Sequence, residues 1–335
     1  MKVFEIQGGF GIDNLKLAER PEPRPGPGQV LLKLRAWSLN YRDLMVIKGL
    51  YNPKLRLPFI PFSDGVGEVA AVGDGVTRFK VGERLAGTFM QKWQAGELND
   101  AAAKSALGGG IEGILAEYAA LDQDGVVRVP EHLTDEEAAT LPCAAVTAWH
   151  SLIRAGRLCP GESVLVQGTG GVSLFALQFA KTSGARIIAT SSSDDKLKRV
   201  LGLGASDGIN YRSTPDWEEK VRDLTAGIGV DHVVEVGGAG TLGKSLRAVR
   251  TGGHISLIGV LSGGGQVNPM PILMKNVRVQ GIYVGSRAMF EDMNRAIALH
   301  QLRPNVDRVF PFAEVPDALR YMESAAHFGK ICVRI

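Results

Sequence analysis

Between Ser163 and Lys196 the chain reads SVLVQGTGGVSLFALQFAKTSGARIIATSSSDDK, and this stretch narrows the possible folds more than any other. Val164, Leu165 and Val166 form the short apolar run of a buried strand. Gly168-Thr169-Gly170-Gly171 is a turn, and an apolar helix is expected from about Val172 to Thr182, closed by Gly184. Arg186 to Thr190 reads as a second strand. Strand, glycine turn, helix and strand in this order make a βαβ unit.

The turn has the physical properties of a dinucleotide site. Glycine at 168 and 170 permits a tight bend and a close backbone approach to a pyrophosphate. The N–H groups of Gly171, Val172 and Ser173 open the helix and face that negative charge. Ser173 occupies the third small position of the G-x-G-x-x-G pattern, slightly bulkier where helix meets strand. Its place between strand and helix is what gives the glycine trio its meaning. Dinucleotide folds that take NAD usually end the second strand on a carboxylate, which binds the ribose 2′-hydroxyl. Here that place reads Thr190-Ser191-Ser192-Ser193, with no acid before Asp194. Hydroxyls such as that of Ser192 donate to a 2′-phosphate and Lys196 adds positive charge, so NADPH is expected over NADH. Ser193 as a helix N-cap and Lys196 as a solvated helix residue are compatible with that reading.

At 335 residues the chain has room for two cores. A net charge of +3, with Lys and Arg scattered, is too mild to indicate nucleic acid or an anionic membrane as partner. No apolar run approaches the roughly twenty residues of a membrane span. The opening MKVFEIQGGFG lacks the apolar core of a signal peptide. Cys143, Cys159 and Cys332 are odd in number and widely spaced, which is no disulfide framework. A cytoplasmic location is the expectation.

Residues 1–125 are rich in Gly and Pro and show period-two patterning. Strands are expected at Gln29 to Leu39, Asp64 to Val72 and Arg78 to Leu85, within a small, mostly β domain. Residues 94–113 read as a surface excursion or lid. Thr134 and Glu137 form a capping box, leading through Leu141-Pro142-Cys143 into a second helix from Ala144 to Arg154. After the βαβ unit, helices are expected at Asp194 to Leu203, Asp216 to Leu224 and Thr241 to Arg250. They alternate with strands at Gly208 to Tyr211, His232 to Val236, His254 to Gly259 and Val277 to Val284. This alternation describes a doubly wound parallel sheet. The carboxyl end is helical at Phe290 to His300 and Val315 to Ser324, and Lys330 to Ile335 is expected to return as a strand to the first domain.

Five segments in fixed order carry a resemblance: Asn40-Tyr41-Arg42-Asp43-Leu44, GVGEVAAVGDG from Gly65 to Gly75, Pro142 to Trp149, the glycine turn, and GIYVGSR from Gly281 to Arg287. Over essentially its full length the chain resembles the medium-chain dehydrogenase/reductase superfamily, in particular its zinc-independent, quinone-oxidoreductase-like branch. The resemblance implies a GroES-like β domain (1–125, completed by about 290–335) and a Rossmann domain (126–289), with an active site in the cleft between them. Zinc-dependent relatives hold a catalytic metal through Cys, His and Cys with a neighbouring Glu. Here Asn40 stands at the first cysteine, Phe62-Ser63-Asp64 replaces Gly-His-Glu, and only Cys143 matches a third ligand. One cysteine does not make a tetrahedral zinc site. The six histidines form no pair at ligand spacing, and no metal is expected. Cys143 is expected to be a small packed side chain.

Without a Lewis acid, reduction of a conjugated acceptor is easier than oxidation of a simple alcohol. The resemblance therefore implies an NADPH-dependent reductase of quinones or α,β-unsaturated carbonyls. Asn40, Tyr41 and Ser63 are its candidate catalytic residues, as positioner and donors. Arg42 and Asp43 read as a structural pair. Gly168, Gly170, Gly171, Val172, Ser173, Ser192, Lys196 and Tyr211 are carried over as cofactor contacts. So are Gly237, Gly259, Tyr283, Val284, Gly285 and Lys330. The loops at 50–60, 90–113 and 260–275 shape the acceptor pocket. An alcohol dehydrogenase of the same superfamily and a non-catalytic NADPH-binding redox sensor are the competing readings. An apolar edge strand at Val277 to Val284 points to a C₂ homodimer.

Overall fold

Six strands between residues 163 and 281 run parallel. Their spatial order is Asp207–Asn210, Arg186–Ser191, Ser163–Gln167, Val230–Glu235, Val249–Leu257 and Arg278–Gly281. The chain winds outward from Ser163–Gln167, returns to its other side at Val230–Glu235 and winds outward again. The topological switch therefore lies between those two strands, the place where doubly wound sheets bind ligands. Val164, Leu165, Ile187, Ile188, Val233, Val234 and Ile255 are buried, as continuous apolar runs in a sheet covered on both faces must be. In this computed structural model residues 1–259, 261 and 264–335 are described. Residues 260, 262 and 263 of the expected pocket loop 260–275 lie outside them.

The second sheet orders its strands Val306–Pro311, Lys330–Arg334, Gln29–Ser38, Asp64–Val72, Arg84–Gly87 and Val126–Arg128, with Tyr118–Asp122 also pairing to the amino-terminal half of Gln29–Ser38. Lys330–Arg334 does return to this sheet, antiparallel to Gln29–Ser38. Trp37 is fully buried and ties its indole N–H to the Ile114 carbonyl at 2.6 Å. The two compact units are residues 1–146 with 285–335, and residues 147–284. The first boundary falls later than 125, because Val126–Arg128 pairs with Arg84–Gly87 and keeps the following helix Asp135–Ala139 in the β unit. The second falls at 284/285 rather than 289/290.

Several local expectations are corrected. The strand expected at Arg78 to Leu85 begins only at Arg84, because Gly82, at φ 91°, and a Glu83-to-Lys80 backbone bond make a turn first. The edge strand is Arg278–Gly281, shorter than 277–284, and Val284 then takes φ 56°. Residues 94–113 are a surface excursion only in part: 94–101 are exposed apart from the half-buried Leu98, but the later half packs inward. Ser105, Ala106 and Leu107 are buried, and Gly108 and Gly113 lie so close to the backbone of Pro61 and Phe62 that a Cβ on either would collide with it. The helix expected from Ala144 to Arg154 is a short α-helical turn, Val146–Trp149, flanked by wider π-helical turns at Leu141–Ala145 and His150–Ala155. The hairpin of Lys2–Ile6 with Leu15–Glu19 and the strand Val306–Pro311 are not anticipated by the sequence reading.

Candidate active site

In the parallel-sheet unit the glycine turn does what its residue types allow. Gly168 sits at φ 72°, in the left-handed region that favours glycine. Gly170 is the N-cap of the helix Gly171–Thr182, and a Cβ on Gly168 or Gly170 would meet nothing within 4 Å. The space before the helix start is thus open, and the first-turn N–H groups of Gly171, Val172 and Ser173 have no intrahelical acceptor. Ser173 is buried and donates its hydroxyl to the Gln167 carbonyl at 2.6 Å, fastening helix to strand where the sequence pattern has its third small residue.

The next strand ends on Ser191, opposite Asn210 of the neighbouring strand. Tyr211, 42% exposed, follows and donates its N–H to the Ser191 carbonyl at 3.0 Å. Ser193 caps the helix Asp194–Leu203, accepting from the Lys196 N–H at 3.3 Å. Asp194 accepts from the Asn210 side chain at 2.7 Å. Ser192, Lys196 and Tyr211 are therefore brought to one end of two adjacent strands.

A group outside the sequence expectation organises the switch point. Glu235 is fully buried at the end of its strand, and its carboxylate accepts from the N–H groups of Gly237 at 2.8 Å and Gly238 at 3.0 Å. It also accepts from the Thr241 hydroxyl at 2.5 Å, the Gln167 amide at 2.9 Å and the Ser245 hydroxyl. A carboxylate closing the apolar run VVEVGG is the signal that marks it. Gly237 and Gly259 are glycines for the protein's own packing. A Cβ would lie 2.3 Å from the Thr241 hydroxyl in one case and 1.8 Å from the Val236 carbonyl in the other. Tyr283 is 36% exposed, and Val284 is a β-branched residue at positive φ, an outlier of the kind that gathers at functional sites. The Val284 carbonyl bonds His150 Nδ1 at 2.7 Å. Burial lowers the His150 pKa, favouring the neutral ring that donates there. Gly285 admits no larger side chain, since its Cβ would come within 2.7 Å of Val146.

In the β unit a second constellation forms from four distant segments. Lys330 is buried, and its ammonium donates to the Leu39 carbonyl at 2.6 Å and to Asn40 Oδ1 at 2.7 Å. The Asn40 N–H donates to Asp43 at 2.8 Å, which starts the helix Tyr41–Ile47. Ser63, fully buried, donates its hydroxyl to Asp64 at 2.7 Å, and the Cys143 N–H donates to the other Asp64 oxygen at 3.0 Å. Phe62, just before them, is held at φ 71°. Burial pushes the Asp64 pKa up, and Lys330, Asn40, Ser63 and the Cys143 N–H hold it back. Burial likewise pushes Asp43 up to about 6, against the pull of the neighbouring Arg42. The Cys143 thiol is driven well above its usual range by burial, with Asp64 adding to the rise. With no cation beyond Lys330 and Arg42 near it among the described residues, it is protonated at neutral pH. Arg42 lies 3.6 Å from Asp43 and 4.2 Å from the Phe89 ring centre, consistent with a structural pair.

Asn40 and Ser63 are thus brought together, joined by Asp64, Asp43 and Cys143, with Lys330 among them. Lys330, expected from the sequence among the cofactor contacts, gives two of its three N–H donors to Leu39 and Asn40. Tyr41 follows directly and is half exposed. By the resemblance drawn from the sequence, Asn40, Ser63 and Cys143 match the ligand positions of zinc-dependent relatives, and Asp64 matches the neighbouring acid. A buried ammonium bonded to Asn40, with Cys143 as the one thiol at those positions and no imidazole there, does not fit a zinc ion. No helix among the described residues is long and apolar enough to cross a membrane.

Residues 26–131 match the family described as the alcohol dehydrogenase GroES-like domain, and residues 171–299 that described as zinc-binding dehydrogenase. A zinc-type alcohol dehydrogenase-like protein of Schizosaccharomyces pombe is 44% identical, over 97% of this chain and 96% of its own. A human quinone oxidoreductase is 30% identical over 95% and 92%. A crystal structure of a putative alcohol dehydrogenase from Sinorhizobium meliloti superposes with a TM-score of 0.94, at 42% identity, covering 100% of this chain and 98% of its own. A mycobacterial protein solved in complex with NADPH superposes with a TM-score of 0.84, at 26% identity, covering all of both chains.

Proposed function

The chain belongs to the medium-chain dehydrogenase/reductase superfamily, and from that premise we propose that it is a metal-independent, NADPH-dependent reductase of quinones or α,β-unsaturated carbonyls. The observation that carries this reading is Lys330: its ammonium lies buried against Asn40 and acts on both Asp64 and Asp43, among the positions that bind zinc in related enzymes. A fixed buried cation of this kind holds side chains in place but offers no open coordination position to a substrate oxygen. The acceptor must then be electrophilic in itself.

The open space before Gly168 and Gly170 fits a pyrophosphate, whereas a Cβ at either position would intrude on it. Ser192, Lys196 and Tyr211 fit a 2′-phosphate, and the NADPH complex of a structural relative supports that choice. Val284 and Gly285, with backbone fixed by His150 and Val146, fit the carboxamide end. When bound, NADPH supplies the hydride. Asn40, oriented through Oδ1 by Lys330, positions the acceptor, and Tyr41 donates a hydrogen bond and then a proton to the oxygen that gains the electron pair. Ser63 is committed to Asp64 and keeps that carboxylate in place. We also assign a C₂ dimer through the edge strand Arg278–Gly281. Nothing among the described residues pairs with its outer side, and Leu273 and Met274 beside it are 73% and 74% exposed.

A second reading, an alcohol dehydrogenase, is favoured by the names of the S. pombe and S. meliloti relatives. The deciding experiment is oxidation of NADPH and of NADH by a simple benzoquinone in the presence of a strong chelator. Turnover that prefers NADPH and ignores the chelator is expected. Lys196→Ala should weaken NADPH at least tenfold more than NADH, as loss of a charge-assisted phosphate contact implies. Activity on alcohols alone, abolished by the chelator, would replace this reading with the second.

A further inference from the structure

A cavity of about 530 Å³ in the β unit is lined by residues of two loops, 52–59 and 104–112. Its floor is apolar, with Leu55, Phe59 and Ile111, while Lys54, Arg56 and Lys104 stand exposed around it. Among the described residues the side chains of these three cations make no ion pair and no hydrogen bond. The single acid in the lining, Glu112, is already paired with Arg20 at 2.9 Å. Three uncompensated cations over an apolar floor form an electrostatic preference that nothing inside the unit uses. Arg42 uses its charge differently, against Asp43 and the Leu107 carbonyl.

The cavity is lined by Gly109, against which the side chain of Arg42, from the helix Tyr41–Ile47, packs. A Cβ on its lining residue Gly109 would lie 3.0 Å from the Arg42 guanidinium and 3.4 Å from the Tyr51 ring. Arg42 belongs to the same helix as Tyr41 and follows Asn40 by two residues. Gly110 keeps the floor shallow, since a Cβ there would lie 2.3 Å from the Lys104 carbonyl. The pocket wall thus backs onto the side chain of Arg42, two residues along the same segment from Asn40, and Lys54, Arg56 and Lys104 give its lining a positive charge.

We propose that this cavity is a specificity pocket for an acceptor bearing an anionic group, a carboxylate or a phosphate, attached by an apolar segment to the reducible carbonyl. This rests on the reading that the β unit holds the acceptor. Lys54, Arg56 and Lys104 receive the anion, and Leu55, Phe59 and Ile111 cover the apolar segment.

The test compares 1,2-naphthoquinone with its 4-sulfonate, a neutral and an anionic acceptor of nearly equal shape, with NADPH as reductant. The sulfonate is expected to show the higher kcat/KM, with an advantage that shrinks as salt is raised. The double variant Lys54→Ala/Lys104→Ala should reduce the sulfonate-to-neutral ratio about tenfold, as loss of two exposed ionic contacts implies. Lys198→Ala, which removes an exposed cation from the other unit, should leave the ratio unchanged. No advantage for the sulfonate, or an equal loss on both quinones, overturns the pocket. Should neither quinone be reduced, the reductase reading falls separately. Calorimetry of 2-naphthalenesulfonate against 2-naphthol on the NADPH-saturated protein then decides the pocket by the same ratio and the same double variant. Competition by phenyl phosphate against benzoate tells a phosphate-bearing from a carboxylate-bearing acceptor, and competition by neither counts against the proposal.

Discussion

The two buried carboxylate networks are built on opposite principles. Glu235 receives five donors, and neither it nor Gln167, Thr241 or Ser245 leaves a buried polar side-chain atom without a partner. The Lys330 network is incomplete. Asn40 Nδ2, Arg42 Nε and Nη1, and Asp43 Oδ1 are buried without a good hydrogen bond, and the carboxyls of Asp43 and Asp64 resist ionisation. Asn40 Nδ2 nonetheless lies near enough to Asp64 to help hold that carboxyl down. A saturated network fixes one geometry, whereas a partly satisfied one keeps free energy stored where a ligand can release it. The proposed cofactor cradle rests on the first kind and the proposed acceptor site on the second.

The largest effect that tests this contrast is at Lys330. Lys330→Met strands Asp64 and Asp43 without their shared cation and should cost about 3–5 kcal/mol, read as a shift of the urea midpoint at constant slope. Lys330→Arg should recover part of it. Glu235→Gln keeps the size and one of the two acceptor oxygens, turns the other towards its donors as an NH2, and should cost about 1–3 kcal/mol. Equal losses from Lys330→Met and Glu235→Gln would mean that the two networks do not differ in kind.

The next effect is in pH dependence, where the two units have opposite signs. Asp43 rises from 3.8 to about 6 on folding, so its contribution to stability falls as pH climbs through that window and is level above it. His254 drops from 6.5 to about 4 because burial disfavours its charged form, followed by repulsion from Arg278 and His232. Its contribution is complete above pH 6.5 and is lost as pH falls towards 4. Between pH 4 and 6 the two slopes oppose each other in the intact protein. Asp43→Asn should turn the slope towards a stability that rises with pH, with the raised carboxyl of Asp64 still opposing it. His254→Asn should expose one that falls by about 2–3 kcal/mol. Parallel pH curves for the two variants would refute the assignment.

The same contrast explains what could be read in advance. The cradle is local: Gln167 to Ser173 is seven residues of strand, turn and helix, and each residue type states its own backbone requirement. The capping box at Thr134 and Glu137 is local too, and is present as expected. The acceptor site is not local. Lys330 meets Asn40 across 290 residues, and Asp64 meets the Cys143 N–H across 79. No periodicity records such contacts. The strained residues Phe62 and Val284 carry no glycine to announce their positive φ, which the surrounding structure imposes. The stretch 94–113 looks like a solvated excursion because it is rich in alanine and glycine. Its later glycines are required instead by packing, since Gly108 and Gly113 lie against the backbone of Pro61 and Phe62.

The smallest effect is the sharpest test of how rigid the cradle is. Ser173 replaces the third glycine of the fingerprint, and its buried hydroxyl bonds the Gln167 carbonyl at 2.6 Å. Ser173→Ala keeps the helix propensity and removes only that bond, so unfolding should become easier by about 1 kcal/mol. The bond fixes the helix start, where the proposed pyrophosphate contact, common to both cofactors, lies. Fluorescence titration should therefore show NADPH and NADH weakened by the same small factor, in contrast with the selective loss expected for Lys196→Ala. A loss confined to NADPH would show that the turn and the 2′-phosphate region move together, and that the saturated Glu235 network does not hold the cradle independently.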